Sequence, residues 1–154
     1  MAGGSKGRKG GKGGGGGGGG GSALPDGVKL QDDGHTKEYV FKVAGNEVTF
    51  VVQRIGENKG GAGFDVNGDL DRGSLKGRDA DKAALKIARI MKYDVATRPE
   101  GFKYRVYAHT DDGFGDRRAQ GYSRAGFSTP KKAGDAQFAV VKGGKLQAIT
   151  ETQF

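Results

Sequence analysis

The chain has 154 residues, 32 of them glycine, with no cysteine and a formal net charge of +8. Zero cysteines exclude a disulfide framework and any thiolate metal site, and no apolar run approaches the roughly 20 residues needed to span a bilayer. Residues 1–22 hold 14 glycines, the cations Lys6, Arg8, Lys9 and Lys12, and no acid.

A segment so rich in glycine has much backbone entropy to lose and nothing apolar to bury, so the sequence predicts a flexible tail. The four tail cations leave 22 basic against 18 acidic residues, or +4, for the remaining chain. Four clustered charges without an aromatic predict nucleic-acid binding that is sequence-blind and weakened by salt. A spacer role is the alternative. The N-terminus lacks the apolar stretch of a signal peptide, so a cytoplasmic protein with no membrane partner is expected.

Ala23–Lys37 reads as a polar linker turning at Pro25-Asp26-Gly27, with order beginning near Glu38. Tyr39, Phe41 and Val43 alternate with polar residues, as do Val48, Phe50 and Val52, and Gly45-Asn46 between them predicts a two-residue hairpin turn. Gly56–Gly63 reads as a connector, and Phe64, Val66 and Leu70 as a third strand weakened by Gly68. Asp71–Arg78 is a basic loop leading to a long helix over 80–96. Asp79 is its expected N-cap and Arg98-Pro99 its stop. Lys82, Lys86, Arg89 and Lys92 line one side, which predicts a solvated face.

Phe102, Tyr104 and Val106 alternate with Lys103, Arg105 and Tyr107, so 102–109 reads as a half-buried strand. Thr110-Asp111-Asp112-Gly113 ends it with turn chemistry. A short helix over 116–125 follows, capped by Asp116 and closed by Gly126, with Tyr122 and Phe127 pointing inward. Gln137–Lys142 and Lys145–Ile149 form a last hairpin about Gly143-Gly144. The expected fold is α+β: one domain over 38–154, with a mixed, mainly antiparallel sheet, one long helix and one short helix.

Tyr122-Ser123-Arg124-Ala125-Gly126-Phe127 fits Tyr-x-x-x-Gly-Phe at the end of a short helix after a strand. It resembles the last conserved segment of the GNAT superfamily of acyl-CoA N-acyltransferases. The element order over Phe64–Ile149 is similar too. Arg118 through Phe127 is also similar to an Arg-x-x-x-Tyr-x-x-x-Gly-Phe ending in small proteins of tailed phages. That likeness implies a phage or mobile-element origin, in host cytoplasm or virion.

The resemblance implies acetyl coenzyme A as cofactor and Tyr122 as the general acid that protonates the departing thiolate, a role a phenol can fill at neutral pH. The alternative is a core tyrosine with its hydroxyl at the edge. The family's pyrophosphate loop falls on Arg72-Gly73-Ser74-Leu75-Lys76-Gly77. Arg72, Gly73, Lys76, Gly77 and Arg78 are thus the implied cofactor-binding residues, acting through backbone N–H groups at a helix start. Leu75 stands where the family pattern has its central glycine, and Asp79 and Asp81 place negative charge nearby. His109, at the strand end, is a second catalytic candidate because its pKa near 6.5 suits a general base. Asp111, Asp112 and Asp116 lack the spacing of a calcium loop and read as turn and cap residues, so no metal is expected. The expected function is a divergent acyltransferase-like module, for which the resemblance implies N-acetyl transfer. The rival is a non-enzymatic virion or nucleic-acid-associated structural protein.

Overall fold

A computed structural model describes residues 23–70, 75–108 and 115–154. The tail with Lys6, Arg8, Lys9 and Lys12, the loop with Arg72 and Gly73, and the turn with His109 lie outside the described residues. The strands are β1 (Lys29–Asp32), β2 (Thr36–Val43), β3 (Asn46–Gly56), β4 (Lys59–Val66), β5 (Asp69–Leu70), β6 (Lys103–Tyr107), β7 (Ala136–Lys142) and β8 (Lys145–Ala148). The helices are α1 (Gly77–Thr97), between β5 and β6, and α2 (Gly115–Ala125), between β6 and β7. The sheet order is β1-β2-β3-β4-β6-β7-β8, with β5 paired to β4. The β4–β6 pairing is parallel, whereas the other described pairings are antiparallel. The architecture is therefore α+β, on a mainly antiparallel sheet. No helix among the described residues is long and apolar enough to cross a membrane.

Strand alternation sends one set of side chains to a common face. Tyr39 pairs with Phe50, Phe50 with Phe64, Ala62 with Val106, and Tyr104 with Ala139. This face and the inner stripe of α1 (Ala83, Ile87, Ile90, Met91 and Val95) make the core, closed by Tyr122 and Phe127. Each large apolar side chain so buried contributes about 1.5–3 kcal/mol.

Several boundaries differ from the sequence reading. Part of the expected linker forms β1, which pairs with β2 from Lys29↔Val40 to Asp32↔Lys37. Asp33 Oδ1 accepts the His35 and Thr36 N–H groups at 2.8 and 2.7 Å, building the intervening turn. The first hairpin turns at Ala44-Gly45, one residue earlier than expected, because Val43 pairs with Asn46. Ala44 has φ 51° and Gly45 φ 80°.

The expected connector at 56–63 is mostly strand. Its glycines obscured the pattern, and one of them is required by packing. A β-carbon on Gly60 would lie 3.0 Å from Phe102 Cζ and 3.1 Å from Val52 Cγ1. The third strand therefore ends at Val66, and Asn67-Gly68 turns it into the short β5.

Helix α1 begins three residues early, at Gly77. Its N-cap is Lys76, which makes no side-chain cap hydrogen bond, and Asp79 sits in the first turn instead. There its charge complements the helix dipole without capping. Ala84, Leu85 and Ala88 are exposed, and Asp94 is buried. Of the basic stripe, Lys82, Arg89 and Lys92 are exposed, and Lys86 donates to the Asp26 carbonyl at 2.8 Å. Helix α2 starts at Gly115 and carries Asp116 in its first turn.

Candidate functional site

Two features of the sheet open a groove. β4 and β6 stay paired only from Lys59↔Lys103 to Ala62↔Val106; beyond that point β4 pairs with β5. Above the separated end of β4, α1 and α2 leave a cavity of about 290 Å³. Its apolar wall includes Phe64, Val66, Ile87, Met91 and Tyr122, and small residues (Ala80, Ala84, Ala88, Gly121 and Ala125) keep the two helices from filling it. Lys76, Arg117, Arg118 and Arg124 also line it.

The sequence places Tyr122 here through the end of α2. Phe127 N–H donates to the Tyr122 carbonyl at 3.0 Å, and Gly126 N–H donates to the Ser123 carbonyl at 3.1 Å. These are the paired bonds of a Schellman ending, with the Tyr122 and Phe127 rings 5.8 Å apart as its apolar contact. Gly126 has φ 120°, and a β-carbon there would sit 2.8 Å from Leu146 Cβ. Gln137, fully buried on β7, fixes the helix from below: its Nε2 donates to the carbonyls of Ala119 and Ser128, both at 3.0 Å. Tyr122 is thus held on a helix anchored at both its middle and its end.

The cationic side of the groove has its own geometry. Arg117 Nη2 reaches Asp81 Oδ1 at 3.1 Å, bridging α2 to α1, with both side chains about two-thirds exposed. Such an exposed pair adds little stability. It does neutralise one of the two acids at the start of α1. The Arg118 guanidinium lies 5.6 Å from the Phe64 ring centre, a cation–π arrangement across the groove. Gly77 enters α1 at φ 54°, a conformation that glycine adopts without steric cost.

The structure therefore gathers Tyr122, Lys76 and Gly77 around one cavity. Arg78 is exposed on the first turn of α1 but does not line the cavity. Arg72, Gly73 and His109 fall outside the described residues. Sequence reading missed Arg117, Arg118 and Phe64 as groove residues. The spacing of Arg117, Arg118, Gly121, Tyr122 and Ala125 at three to four residues was the available signal, since it puts them on neighbouring positions of one helix.

A second polar cluster lies under the C-terminal half of α1. Asp94 is fully buried and receives the hydroxyls of Tyr39 at Oδ1 and Tyr104 at Oδ2, both at 2.5 Å. Arg98 donates to the same carboxylate through Nε at 2.9 Å and Nη2 at 3.3 Å. Burial, reinforced by the Asp94 charge and hydrogen bonds, pushes both phenols above their ordinary value. Their protons are thereby held for the carboxylate. The cluster is a structural clasp joining β2, α1 and β6. Among the described residues, no group of acids and histidines is arranged to hold a metal ion.

No family model, no curated protein and no solved structure matches this chain.

Proposed function

We propose that the groove between α1 and α2 binds an acyl thioester of coenzyme A, and that the domain is a divergent GNAT-like N-acyltransferase module. The observation that carries this reading is an apolar cavity with a tyrosine in its wall and cations along its edge. A volume of about 290 Å³ suits an acyl group and part of its carrier arm, with phosphates left outside. The donor set fits that division: Lys76, Arg117, Arg118 and Arg124 offer charge-assisted bonds to phosphate, and the Arg117–Asp81 pair moderates the acidic helix start. Leu75 is buried, so that position serves the core.

When bound, the thioester supplies the activated carbonyl that an amine attacks. Tyr122 then donates its phenolic proton to the sulfur as the new C–N bond forms and the C–S bond breaks. Lys76 and the α2 arginines hold the phosphates, and Phe64, Ile87 and Met91 exclude water from the reacting end. The proton lost by the amine passes to solvent or to His109. The spacing from Arg118 to Phe127 makes phage or mobile-element origin part of the same proposal.

Thermal melting with acetyl coenzyme A tests the binding claim, because a ligand selective for the folded state raises Tm. A concentration-dependent rise is expected, and no rise at millimolar ligand would sink the reading. The Tyr122→Phe protein should keep that rise and lose acyl transfer to a panel of amines by about 10²-fold or more. The non-enzymatic alternative is a virion or nucleic-acid-associated structural protein that acts through the tail cations Lys6, Arg8, Lys9 and Lys12.

A further inference from the structure

Both helices cover one face of the sheet, and the other face carries a trough. The outward positions of β4 are Lys59, Gly61, Gly63 and Asp65, so the middle of the strand puts no side chain there. A β-carbon at Gly63 would meet nothing within 4 Å, whereas the Ile55 and Arg105 side chains lie over Gly61, 3.6–4.0 Å from where a β-carbon would stand, so the open part of the trough is at Gly63. Among the described residues, the flanking Ile55 and Tyr107 are the large hydrophobics left exposed on the sheet, at 40% and 47%.

The same strip is cationic. Lys59, Lys103 and Arg105 face outward from β4 and β6, and Lys142 from β7, against one outward acid on these strands, Asp65. Among the described residues none of these four cations is in an ion pair. Arg105 lies 5.4 Å from the Tyr107 ring centre and 5.9 Å from that of Phe154; the Phe154 ring, 4.9 Å from Lys59 Nζ and 5.0 Å from the Phe138 ring, covers this end of the face and leaves the Tyr107 end open. Its Nε is buried, so packing orders the side chain before any ligand arrives.

We propose that this open face binds single-stranded nucleic acid. Unpaired bases lie along the glycine trough against Tyr107 and Ile55, while Lys59, Lys103 and Arg105 meet phosphates. Charge selects the occupant. A second copy of the same face, or the chain's own cationic tail, is repelled, whereas a polyanion is attracted. The exposed ring selects single strands, because a duplex hides the base faces that stack on an aromatic. This inference is independent of the acyl-group reading, which concerns the helix-covered face.

Fluorescence anisotropy of the full chain with a labelled oligothymidylate, its duplex with oligoadenylate, and anionic vesicles tests it. The single strand should bind tightest. Tyr107→Ala should weaken that binding by about tenfold, as loss of one stacked base predicts. Lys103→Gln should lower the log–log salt slope by about 0.7, the loss of one single-strand phosphate contact. Circular dichroism of both variants should match the parent, since each change removes an outward side chain. Three outcomes overturn the proposal: no binding to the oligonucleotide, a duplex or vesicle bound as tightly as the single strand, or affinity unchanged in both variants. The last would move binding to the tail.

Discussion

The Tyr104 hydroxyl of β6 donates to Asp94 Oδ2 of α1 at 2.5 Å, inside a site where Asp94 has no solvent exposure. With Tyr39 and Arg98 on the same carboxylate, α1 is bound to two strands that are not neighbours in the sheet. Asp94→Ala leaves a guanidinium and two hydroxyls without their acceptor and should cost about 3–5 kcal/mol. Tyr104→Phe should cost less, about 1–3 kcal/mol, because the carboxylate keeps its other donors. Urea denaturation of the two variants measures both, and a smaller loss for Asp94→Ala would contradict the clasp.

The same cluster sets an alkaline limit. Tyr39 and Tyr104 have folded pKa values raised, first by burial and then by Asp94. A raised folded pKa gives stability that is complete below the unfolded value, about 10 for tyrosine, and lost as pH climbs above it. Lys37, lowered by burial, acts in the opposite sense and returns stability as pH rises toward about 10.5. Two tyrosines outweigh one partly exposed lysine. The urea midpoint should therefore fall above pH 10, and less steeply in Tyr104→Phe; an unchanged midpoint to pH 11 would refute this.

Gly126→Ala combines two faults. The φ of 120° is a glycine conformation, and the new β-carbon would press on Leu146 Cβ at 2.8 Å and its carbonyl oxygen at 2.9 Å. Backbone strain of about 1–3 kcal/mol adds to overpacking of similar size. A Tm within a degree of the parent would show that the end of α2 can re-form another way.

Ala44 bears a removable strain. Both turn residues of the first hairpin have positive φ, which favours Asn-Gly over Ala-Gly. Ala44→Asn should stabilise the fold by about 0.5–1 kcal/mol. A loss of stability in a chemical melt would count against the left-handed assignment.

Ala84 and Ala88 separate the two roles of α1. Both are exposed on the helix surface and line the groove. Ala84→Leu should change stability by no more than about 0.5 kcal/mol, as at other surface sites. It should also abolish any Tm rise given by acetyl coenzyme A. A rise equal to that of the parent would place the ligand elsewhere.

What could be read in advance followed from periodicity. Tyr39/Phe41/Val43 and Phe102/Tyr104/Val106 announced their strands, and Gly126-Phe127 announced the end of α2. Phe64 and Val66 marked the end of β4, but its first half was hidden because Gly60, Gly61 and Gly63 erase alternation, although Gly60 is there to admit Phe102. Asp94 is an acid, a residue type almost never fully buried unless paired. It stands three after Met91, four after Ile90 and four before Arg98, in the apolar stripe with a cation one turn on. The groove was half legible: a motif marked Tyr122, but only the folded sheet brings Phe64 and Arg118 together.

The parallel seam between β4 and β6 also orders events in time. Every other described pairing joins strands consecutive in the chain, whereas this one waits for α1 to be spanned. Closing that long loop costs entropy before its contacts repay it, so the hairpins on each side form early and the seam governs the rate. Gly60, wedged beside Phe102 at that seam, is the place to intervene. Gly60→Ala should destabilise by about 1–3 kcal/mol, with most of the loss seen as slower refolding rather than faster unfolding in stopped-flow denaturant jumps. The reverse partition would mean that the two halves of the sheet meet before either is complete.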